Sequence, residues 1–407
     1  KNFSKYSYNE IDENLVVLNG NTLDLYYITD SKIKTFLKEK SVRAISKLKN
    51  NKYIVATDAE GFYEINVDKN TEDKIAILDD GKEISINYSR DIIVQDNGTI
   101  ITNDSENLFT LDSTYNIIRD KSFKIQREEI IKIGDTIFNG YRNGFMHKYS
   151  YSKKTHKNIK VDKDLLVKEF ATDGNKLYAT TNKGFLEYKN GKHKIYKFEN
   201  EEANNLLSVT YSKFYGVLVS TKFGKIYEFN TATKKLKLIY KDDLTVSIVG
   251  MIIDDNNNLW LNTYAGIVSI DSKTKVVNRY TQKDGVYELE GNRFSMYKDS
   301  KGNIFVGSYK GVSYFNPKEL IKNNKQVQPR LTSISYFNEK TDRWKINSEP
   351  NFLENVHTIM LPSLYQRFSA TVSLAGNVNP GDVKYRYRLI DEEDRSEWFL
   401  NQFGNEI

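Results

Sequence analysis

The sequence predicts an all-β fold, a β-propeller of seven or eight blades followed by a partial β-sandwich of the fibronectin or immunoglobulin type. Three observations carry this prediction. Short strand-like segments recur about every 40 residues, which is the length of a propeller blade. The chain has 28 Tyr and 21 Phe against 5 Pro, and aromatic side chains suit pleated, half-buried strands. Longer alternating segments replace the repeat after Asn316-Pro317. We therefore predict a propeller over 1–320, a linker over 321–329 and a sandwich domain over 330–407.

The repeat is clearest in the copies "IVGMIIDDNNNLWLNTYAGIVSID" and "GNRFSMYKDSKGNIFVGSYKGVSYFNP". Each has an apolar run, an Asp/Asn turn, a second apolar run, a glycine at a tight step and an alternating strand. The step glycines are separated by 40, 40, 42 and 45 residues and are Gly144, Gly184, Gly224, Gly266 and Gly311. An earlier copy has its step at Gly61. The copy between Gly61 and Gly144 has Asn107 there, which we expect to replace glycine because Asn enters left-handed conformations readily.

The ends of the repeat leave the blade count open. A weaker copy, "ENLVVLNGNTLDLYYITDSKIKTF", opens the chain. We favour seven blades, with the first and last copies sharing one blade or with the first copy belonging to a preceding domain. Helical solenoids of similar period need an apolar spacing of 3.6 residues, which the copies lack.

Composition excludes several classes of function. A net charge of +6 over 407 residues is no concentrated basic face, so we predict no contact with nucleic acid. The absence of Cys excludes disulfides, thiol catalysis and zinc-thiolate sites. The longest apolar runs, such as "IVGMII", are too short to cross a bilayer. The N-terminus has no apolar signal core, so we expect a signal peptide or membrane anchor to lie outside this sequence.

The segment after the repeat predicts a second, incomplete domain. "KELIKNNKQVQPRL" is polar and has no hydrophobic period, as a linker would. "LTSISYFNEK", "HTIMLPSLYQRFSATVSLAG" and "VKYRYRLIDEEDRSEWFL" then alternate apolar and polar residues, as one-sided strands do. About 80 residues are few for a sandwich, so we expect the domain to be truncated.

Two stretches resemble a known arrangement of domains. "GNIFVGSYKGVSYFNP" is similar to the closing repeat of two-component-regulator propellers, and "NVNPGDVKYRYRLIDEEDRSEW" resembles the core of the triple-tyrosine domain that follows them. Tyr365, Tyr385, Tyr387 and Trp398 match the aromatic character of that domain, where we expect a structural role. This order of domains is typical of the periplasmic sensor region of hybrid two-component systems.

The resemblance implies a function and partners. Such sensors detect a ligand, often an oligosaccharide from glycan breakdown, and relay the signal across the inner membrane to a histidine kinase and a DNA-binding output. They usually carry two propellers, whereas this chain has one, so the ligand site could involve a propeller that is not in this sequence. The resemblance also implies a periplasmic location and a homodimer formed through the C-terminal domain.

Catalytic and metal sites have little support. The histidines His147, His156, His193 and His357 are scattered, so we predict no catalytic residue, metal or cofactor. "DDNNN" and "DSKGN" could be read as cation loops, but their recurrence at one place in each copy favours turns in which Asp and Asn bind their own backbone. Trp260 stands where other copies have Phe305, Tyr178 and Ile54, so we predict a core residue rather than a sugar platform.

The candidate ligand residues lie beside the step glycines and at the starts of copies. Propellers bind ligands with the loops at one end of the central channel. Tyr could stack on a sugar while Arg and Asn bind its hydroxyl or carboxylate groups. Alternatively, these residues line a wet channel or a surface between domains. The candidates are Tyr141, Arg142, Asn143, Tyr264, Tyr309, Lys310, Arg43, Arg90 and Arg293.

The sequence thus predicts the extracytoplasmic sensor region of a hybrid two-component regulator, which performs no chemistry itself. Two alternatives stay open. One is a propeller lyase or hydrolase acting on a polysaccharide, which would need a converging cluster of His, Arg and acidic residues at the channel mouth. The other is a protein-interaction platform, in which the channel would not matter.

Overall fold

The computed structural model of the chain divides into two compact units, Asp30–Ile321 and a second unit of Lys1–Thr29 with Lys322–Ile407. The structure describes residues 5–9, 14–19, 22–27, 31–118, 129–140, 144–320, 329–338, 341, 343–347, 368–374, 385–387 and 399–401.

The larger unit is a seven-bladed propeller, as the repeat predicts. Consecutive strands of a blade pair antiparallel, and the first strands of neighbouring blades contact one another around a closed ring. The first strands therefore surround the central channel. Blade 1 consists of Val42–Lys47, Lys52–Thr57, Phe62–Asn66 and Thr71–Ile75. Blade 2 consists of Ile92–Val94, Ile100–Asn103 and Leu108–Leu111. Blade 3 consists of Ile130–Ile133, Thr136–Gly140, Phe145–Ser150 and Thr155–Lys160.

The other four blades each have four strands. Blade 4 consists of Val167–Thr172, Leu177–Thr181, Gly184–Lys189 and Lys192–Tyr196. Blade 5 consists of Leu206–Ser212, Gly216–Thr221, Lys225–Phe229 and Leu236–Lys241. Blade 6 consists of Ile248–Ile253, Leu259–Thr263, Gly266–Ile270 and Val277–Tyr280. Blade 7 consists of Gly291–Lys298, Ile304–Ser308, Gly311–Phe315 and Lys34–Phe36.

The first copy closes the ring with a single strand. Lys34–Phe36 pairs with Gly311–Phe315 and completes blade 7, so the first and last copies share one blade. The earlier strands Lys5–Asn9, Asn14–Asn19 and Thr22–Tyr27 form a separate three-stranded sheet in the other unit. This pairing between the first and last copies of the repeat closes the ring.

The remaining elements of the larger unit are short. A hairpin, Ile77–Asp79 with Lys82–Ile84, lies between blades 1 and 2 in sequence. The helical elements are the 3-10 turns Glu201–Asn204 and Gln282–Asp284 and the α-helix Pro317–Leu320. No helix among the described residues has the length and apolar character needed to cross a membrane.

The core consists of seven clusters of buried side chains, one between each pair of neighbouring blades. Strand residues point alternately to the two faces of a blade, so both faces of each blade are covered. Trp260 is 1% exposed and stacks on Tyr280 between blades 6 and 7. Its predicted place in the core is confirmed.

We expect Trp260→Phe to lower the free energy of unfolding by about 1 to 2 kcal/mol, because a buried hydrogen bond and part of the packing are lost. The indole Nε1 donates to Asp254 Oδ2 at 3.0 Å, a bond that Phe cannot make. Urea unfolding measures the change. An unchanged midpoint would contradict the core assignment, and Ile346→Ala, at a side chain 71% exposed, is the control.

The two Asp/Asn clusters form hydrogen-bonded turns between the first two strands of blades 6 and 7. Asp254 Oδ1 accepts hydrogen bonds from the backbone N–H groups of Asn256 and Asn258, both at 2.8 Å. Asp299 Oδ1 does the same for Lys301 and Asn303. The predicted turn chemistry is therefore present at both places.

The step glycines take backbone conformations that other residues avoid. Their φ values are positive at Gly61, Gly144, Gly184, Gly224, Gly266 and Gly311. In several copies, the side-chain hydroxyl group of the residue three positions before the glycine donates a hydrogen bond to the glycine carbonyl. Thr181 donates to the Gly184 carbonyl at 2.7 Å, and Ser308 donates to the Gly311 carbonyl at 2.9 Å. This explains the recurring Thr/Ser-x-x-Gly pattern.

Asn107 does not act as the predicted glycine substitute. It is absent from the positive-φ residues, and Asp104 stabilises the step instead. Asp104 Oδ1 accepts from the backbone N–H groups of Glu106 and Asn107, both at 2.6 Å. A side-chain acceptor at the start of the turn thus replaces the left-handed backbone of the other copies.

The second unit contains two further small sheets. Pro329–Asn338 lies between Arg343–Asn347 and Phe368–Leu374, and Tyr385–Tyr387 pairs with Phe399–Asn401. The alternating segments of the tail therefore form antiparallel strands. Tyr365 and Trp398 lie outside the described residues.

Candidate functional site

Irregular first strands shape the central channel. The pairing register shifts in five first strands, between Val42 and Ala44, Val167 and Glu169, Leu206 and Val209, Ile248 and Gly250, and Gly291 and Met296. A bulge of this kind changes the direction of side chains that would otherwise point between neighbouring blades. Charged residues stand at or next to this place in several blades.

The rim of the channel contains an aromatic pair and an ion pair. Tyr264 and Tyr309 directly follow the second strands of blades 6 and 7 and are 39% and 37% exposed. Burial raises the pKa of Tyr264, and its electrostatic interaction and hydrogen bond with Tyr309 raise it further. The Arg43 guanidinium lies 5.7 Å from the centre of the Tyr309 ring. These residues offer two accessible phenol rings beside a cation.

Asp58 anchors the cationic side of the rim. It binds Arg43 through Nε–Oδ1 at 2.7 Å and accepts from the Ser41 hydroxyl at 2.7 Å. Burial opposes its ionisation, but the hydrogen bonds from Arg43 and Ser41, together with the charge of Arg90, hold the pKa of Asp58 below its usual range. Arg43 is therefore a fixed cation with its planar guanidinium held in one orientation.

Two more arginines surround an aromatic residue. The guanidinium carbons of Arg293 and Arg90 lie 4.6 Å and 5.8 Å from the centre of the Phe294 ring. Phe294 has a φ of +65°, which is unusual for a bulky residue and often marks a functional site. Arg293 Nη2 is buried without a hydrogen-bond acceptor among the described residues. A ligand oxygen would satisfy this donor.

Three carboxyl groups from blades 2, 3 and 4 lie deeper in the channel. Burial raises the pKa of Asp91 to about 7 and that of Glu169 to about 7. Burial also raises the pKa of Glu129 well above its usual range, and the charges of Glu169 and Asp91 add to the effect. Arg293 opposes the shifts of Glu129 and Glu169. The three groups therefore bind protons more readily than ordinary carboxyl groups, and in the protonated form they can donate as well as accept hydrogen bonds.

Backbone contacts fix these carboxyl groups. Glu169 Oε2 accepts from the Val209 N–H at 2.8 Å, and Glu129 Oε2 accepts from the Phe170 N–H. Asp91 Oδ1 accepts from the Ile92 N–H at 2.7 Å. Each carboxyl group thus bonds to its own blade or the next one around the ring, so the acidic cluster is part of the ring's framework.

The structure brings five of the nine predicted ligand residues near one another. Arg43, Arg90, Arg293, Tyr264 and Tyr309 are linked by the contacts described above. Lys310 is over half exposed, with Nζ 3.9 Å from Glu288 Oε2. Tyr141, Arg142 and Asn143 lie outside the described residues. A ligand role for all nine stays a prediction.

Sequence reasoning missed Asp58, Phe294 and the three carboxyl groups. A signal for the acids was present, since "RDIIV", "EEIIKI" and "VKEFAT" place a charge just before or inside the first apolar run. The arginines at the same place in other copies were predicted. The acidic residues could have been found by considering every charged residue at the start of a copy as a candidate, as was done for the arginines.

The metal-binding side chains of the described part of the chain are scattered. No group of three or more His, Asp or Glu there is placed to hold a metal ion. His147 and His156 stack with ring centres 5.8 Å apart on the third and fourth strands of blade 3, and His193 lies on the outer strand of blade 4. His357 is outside the described residues.

Comparisons with known proteins place the fold. No protein-family model matches the chain. The extracellular domain of the hybrid two-component system BT4673 from B. thetaiotaomicron superposes with a TM-score of 0.60 at 14% identity, over 76% of this chain and 43% of that chain. Virginiamycin B lyase from Staphylococcus aureus, solved with quinupristin, superposes with a TM-score of 0.56 at 12% identity, over 70% of this chain and 99% of the lyase.

One curated relative matches in sequence. Histidine kinase P4 from Formosa agariphila is 25% identical over 198 residues, which are 46% of this chain and 14% of the kinase. The chain spans less than half of the BT4673 chain and a small part of the kinase. It is thus similar in fold to the extracellular domain of a two-component sensor and, over about half its length, similar in sequence to a histidine kinase.

Proposed function

We propose that the chain is the extracytoplasmic ligand-sensing region of a hybrid two-component regulator and that the mouth of its channel binds an oligosaccharide. The observation that carries the proposal is that Tyr264, Tyr309 and Arg43 lie together at the rim of the channel, near Arg293 and the buried carboxyl groups. Exposed phenol rings suit the apolar face of a sugar. Arginine, with only donors, and protonated carboxyl groups, which donate and accept, suit its hydroxyl oxygens.

The similarity to sensor proteins supports the rest of the proposal. The signal would pass through the C-terminal strands to a membrane anchor and a kinase outside this chain, with a homodimer formed through that domain. Ligand binding would drive this relay only if the ligand favours one arrangement of the assembly over another.

The lyase alternative receives less support from the site. Propeller lyases share the fold, but fold alone does not determine activity. A base for proton abstraction should lie within hydrogen-bond reach of the substrate. The described histidines lie on the third and fourth strands of blade 3 and on the fourth strand of blade 4, away from the rim of blades 6, 7 and 1. A carboxylate can also act as a base, but the cluster of His, Arg and acidic residues that this alternative requires has no histidine in the described part of the mouth.

Titration calorimetry against neutral and acidic oligosaccharides tests the proposal, with each recovered sugar analysed for cleavage. We expect saturable heat with intact sugar. Arg293→Ala should weaken binding about tenfold or more, since a hydrogen bond to a charged group contributes about 1.5 to 3 kcal/mol. Lys192→Ala, on an exposed outer strand, should bind as the unchanged protein does.

Other outcomes would overturn parts of the proposal. A cleaved sugar would indicate an enzyme. Binding that Arg293→Ala leaves intact would move the site away from the mouth, and no heat across the panel would favour a protein partner or a second propeller.

A further inference from the structure

A second cavity lies between blades 1 and 2, at the end of the ring opposite the mouth. In a four-stranded antiparallel blade, the turn between the first two strands lies at the other end from the step glycine. The cavity is bordered by two such turns, 47–52 in blade 1 and 94–100 in blade 2, and has a volume of about 470 Å³. This volume is within the range of small-molecule sites.

The local architecture explains why this junction is open. The first strand of blade 2, Ile92–Val94, has three residues, whereas that of blade 1 has six. The partly buried side chains of Leu48, Val94 and Tyr115 pack against the core between blades 1 and 2, and all three line the cavity. One wall is therefore apolar and includes an aromatic ring.

The polar lining of the cavity consists mainly of donors. Lys47, Lys49 and Lys52 line it, together with the acidic residues Glu64 and Asp96. Glu64 is already engaged, because its oxygens accept from Lys52 Nζ at 2.7 Å and from the Tyr115 hydroxyl at 3.1 Å. Lys47, whose Nζ also donates to Ser300 Oγ at 3.0 Å, and Lys49 outnumber Asp96 among the other charged lining residues. The net charge of the lining is therefore positive, and an anion would be favoured there.

Gln95 supplies an additional donor in the cavity wall. Its Oε1 accepts from Lys132 Nζ at 2.9 Å. Because an ammonium group can only donate, this contact fixes the orientation of the amide and leaves Nε2 as a donor. That Nε2 atom is buried and has no acceptor among the described residues. Unsatisfied buried donors are rare in folded proteins, so a ligand acceptor would stabilise this arrangement.

We propose that this cavity is a second binding site and that it takes a small acidic sugar, a ring carrying a carboxylate or sulfate group. The anionic group would meet Lys47, Lys49 and Gln95, while the ring would lie against Leu48, Val94 and Tyr115. The proposal rests on the cavity alone and does not depend on ligand binding at the mouth.

Saturation-transfer NMR on the full chain tests the proposal with D-glucuronate, D-glucose 6-sulfate and neutral D-glucose as probes. We expect transfer to the two anionic probes and much less to D-glucose. The double variant Lys47→Ala/Lys49→Ala should weaken binding of D-glucuronate about tenfold, which corresponds to about 1.4 kcal/mol. Gln95→Glu retains an acceptor for Lys132 but replaces the free donor with a negative charge, and should weaken it similarly.

The variant Arg293→Ala separates the two sites. The part of D-glucuronate binding that the cavity variants weaken should persist in it, because Arg293 lies at the other end of the channel. Lys192→Ala, on the outer strand of blade 4, should leave D-glucuronate binding unchanged. Equal transfer to D-glucose, no transfer to either anionic probe, or unchanged binding in both cavity variants would overturn the proposal. Loss of binding in Arg293→Ala alone would assign the sugar to the mouth instead.

Discussion

Replacing Glu169 by Gln should stabilise the propeller at pH 8 and leave it nearly unchanged at pH 4. The pKa of Glu169 is raised to about 7 by burial, against an ordinary value of 4.5. Ionising this group in the folded protein therefore has a free-energy cost of about 3 kcal/mol, at 1.36 kcal/mol per pKa unit. Gln has no charge to desolvate, and its amide oxygen can still accept from the Val209 N–H.

The direction of the pH dependence follows from proton binding. Between about pH 4.5 and pH 7 the folded state holds a proton on Glu169 that the unfolded state has released. Stability therefore falls as the pH rises through this window, and the full loss is reached above pH 7. Asp91 and Glu129 act in the same direction, whereas the positive charge of Arg293 reduces the loss.

Urea unfolding at pH 4, 6 and 8 measures the effect. The expected result is a smaller decline in stability with pH for Glu169→Gln than for the unchanged protein. Glu106→Gln, at an exposed turn residue, is the matched control and should not alter the slope. A propeller whose stability rises steadily from pH 5 to pH 8 would contradict the burial of these carboxyl groups.

The acidic cluster shows what the sequence could not predict. Glu129 and Glu169 are 40 residues apart in sequence, and the packing of blade 3 against blade 4 lets the charge of Glu169 raise the pKa of Glu129. The sequence showed that charged residues begin several copies, but it could not show that these carboxyl groups lie close enough to affect one another. The arginines were singled out because they suit a ligand, although the acids occupy similar places in their blades.

The repeat predicted the fold more completely because it depends on local geometry. Asp254 and Asp299 form their turns from residues within four positions, so their role could be predicted from spacing. The closing strand Lys34–Phe36 is different, since its partner lies about 280 residues later and the sequence allowed two arrangements. The prediction that Asn107 replaces the step glycine was wrong, because hydrogen bonds to the side chain of Asp104 stabilise this turn instead.

The step glycine of blade 4 should tolerate no side chain. We expect Gly184→Ala to lower the free energy of unfolding by about 2 to 5 kcal/mol, because backbone strain and overpacking act together. Its φ is +121°, beyond the left-handed region that Asn or Asp enters. A Cβ there would lie 2.2 Å from the Tyr196 carbonyl oxygen, so the backbone leaving the outer strand would have to move.

Gly174 in the same blade separates strain from clash. Its φ is +86°, but an added Cβ would have no neighbour within 4 Å, so Gly174→Ala should cost only the strain, about 1 to 2 kcal/mol. Urea unfolding of both variants gives the difference. A larger loss for Gly184→Ala would show that close packing of the step against the outer strand requires glycine in the repeat. Equal losses would show that backbone conformation alone requires glycine at this step.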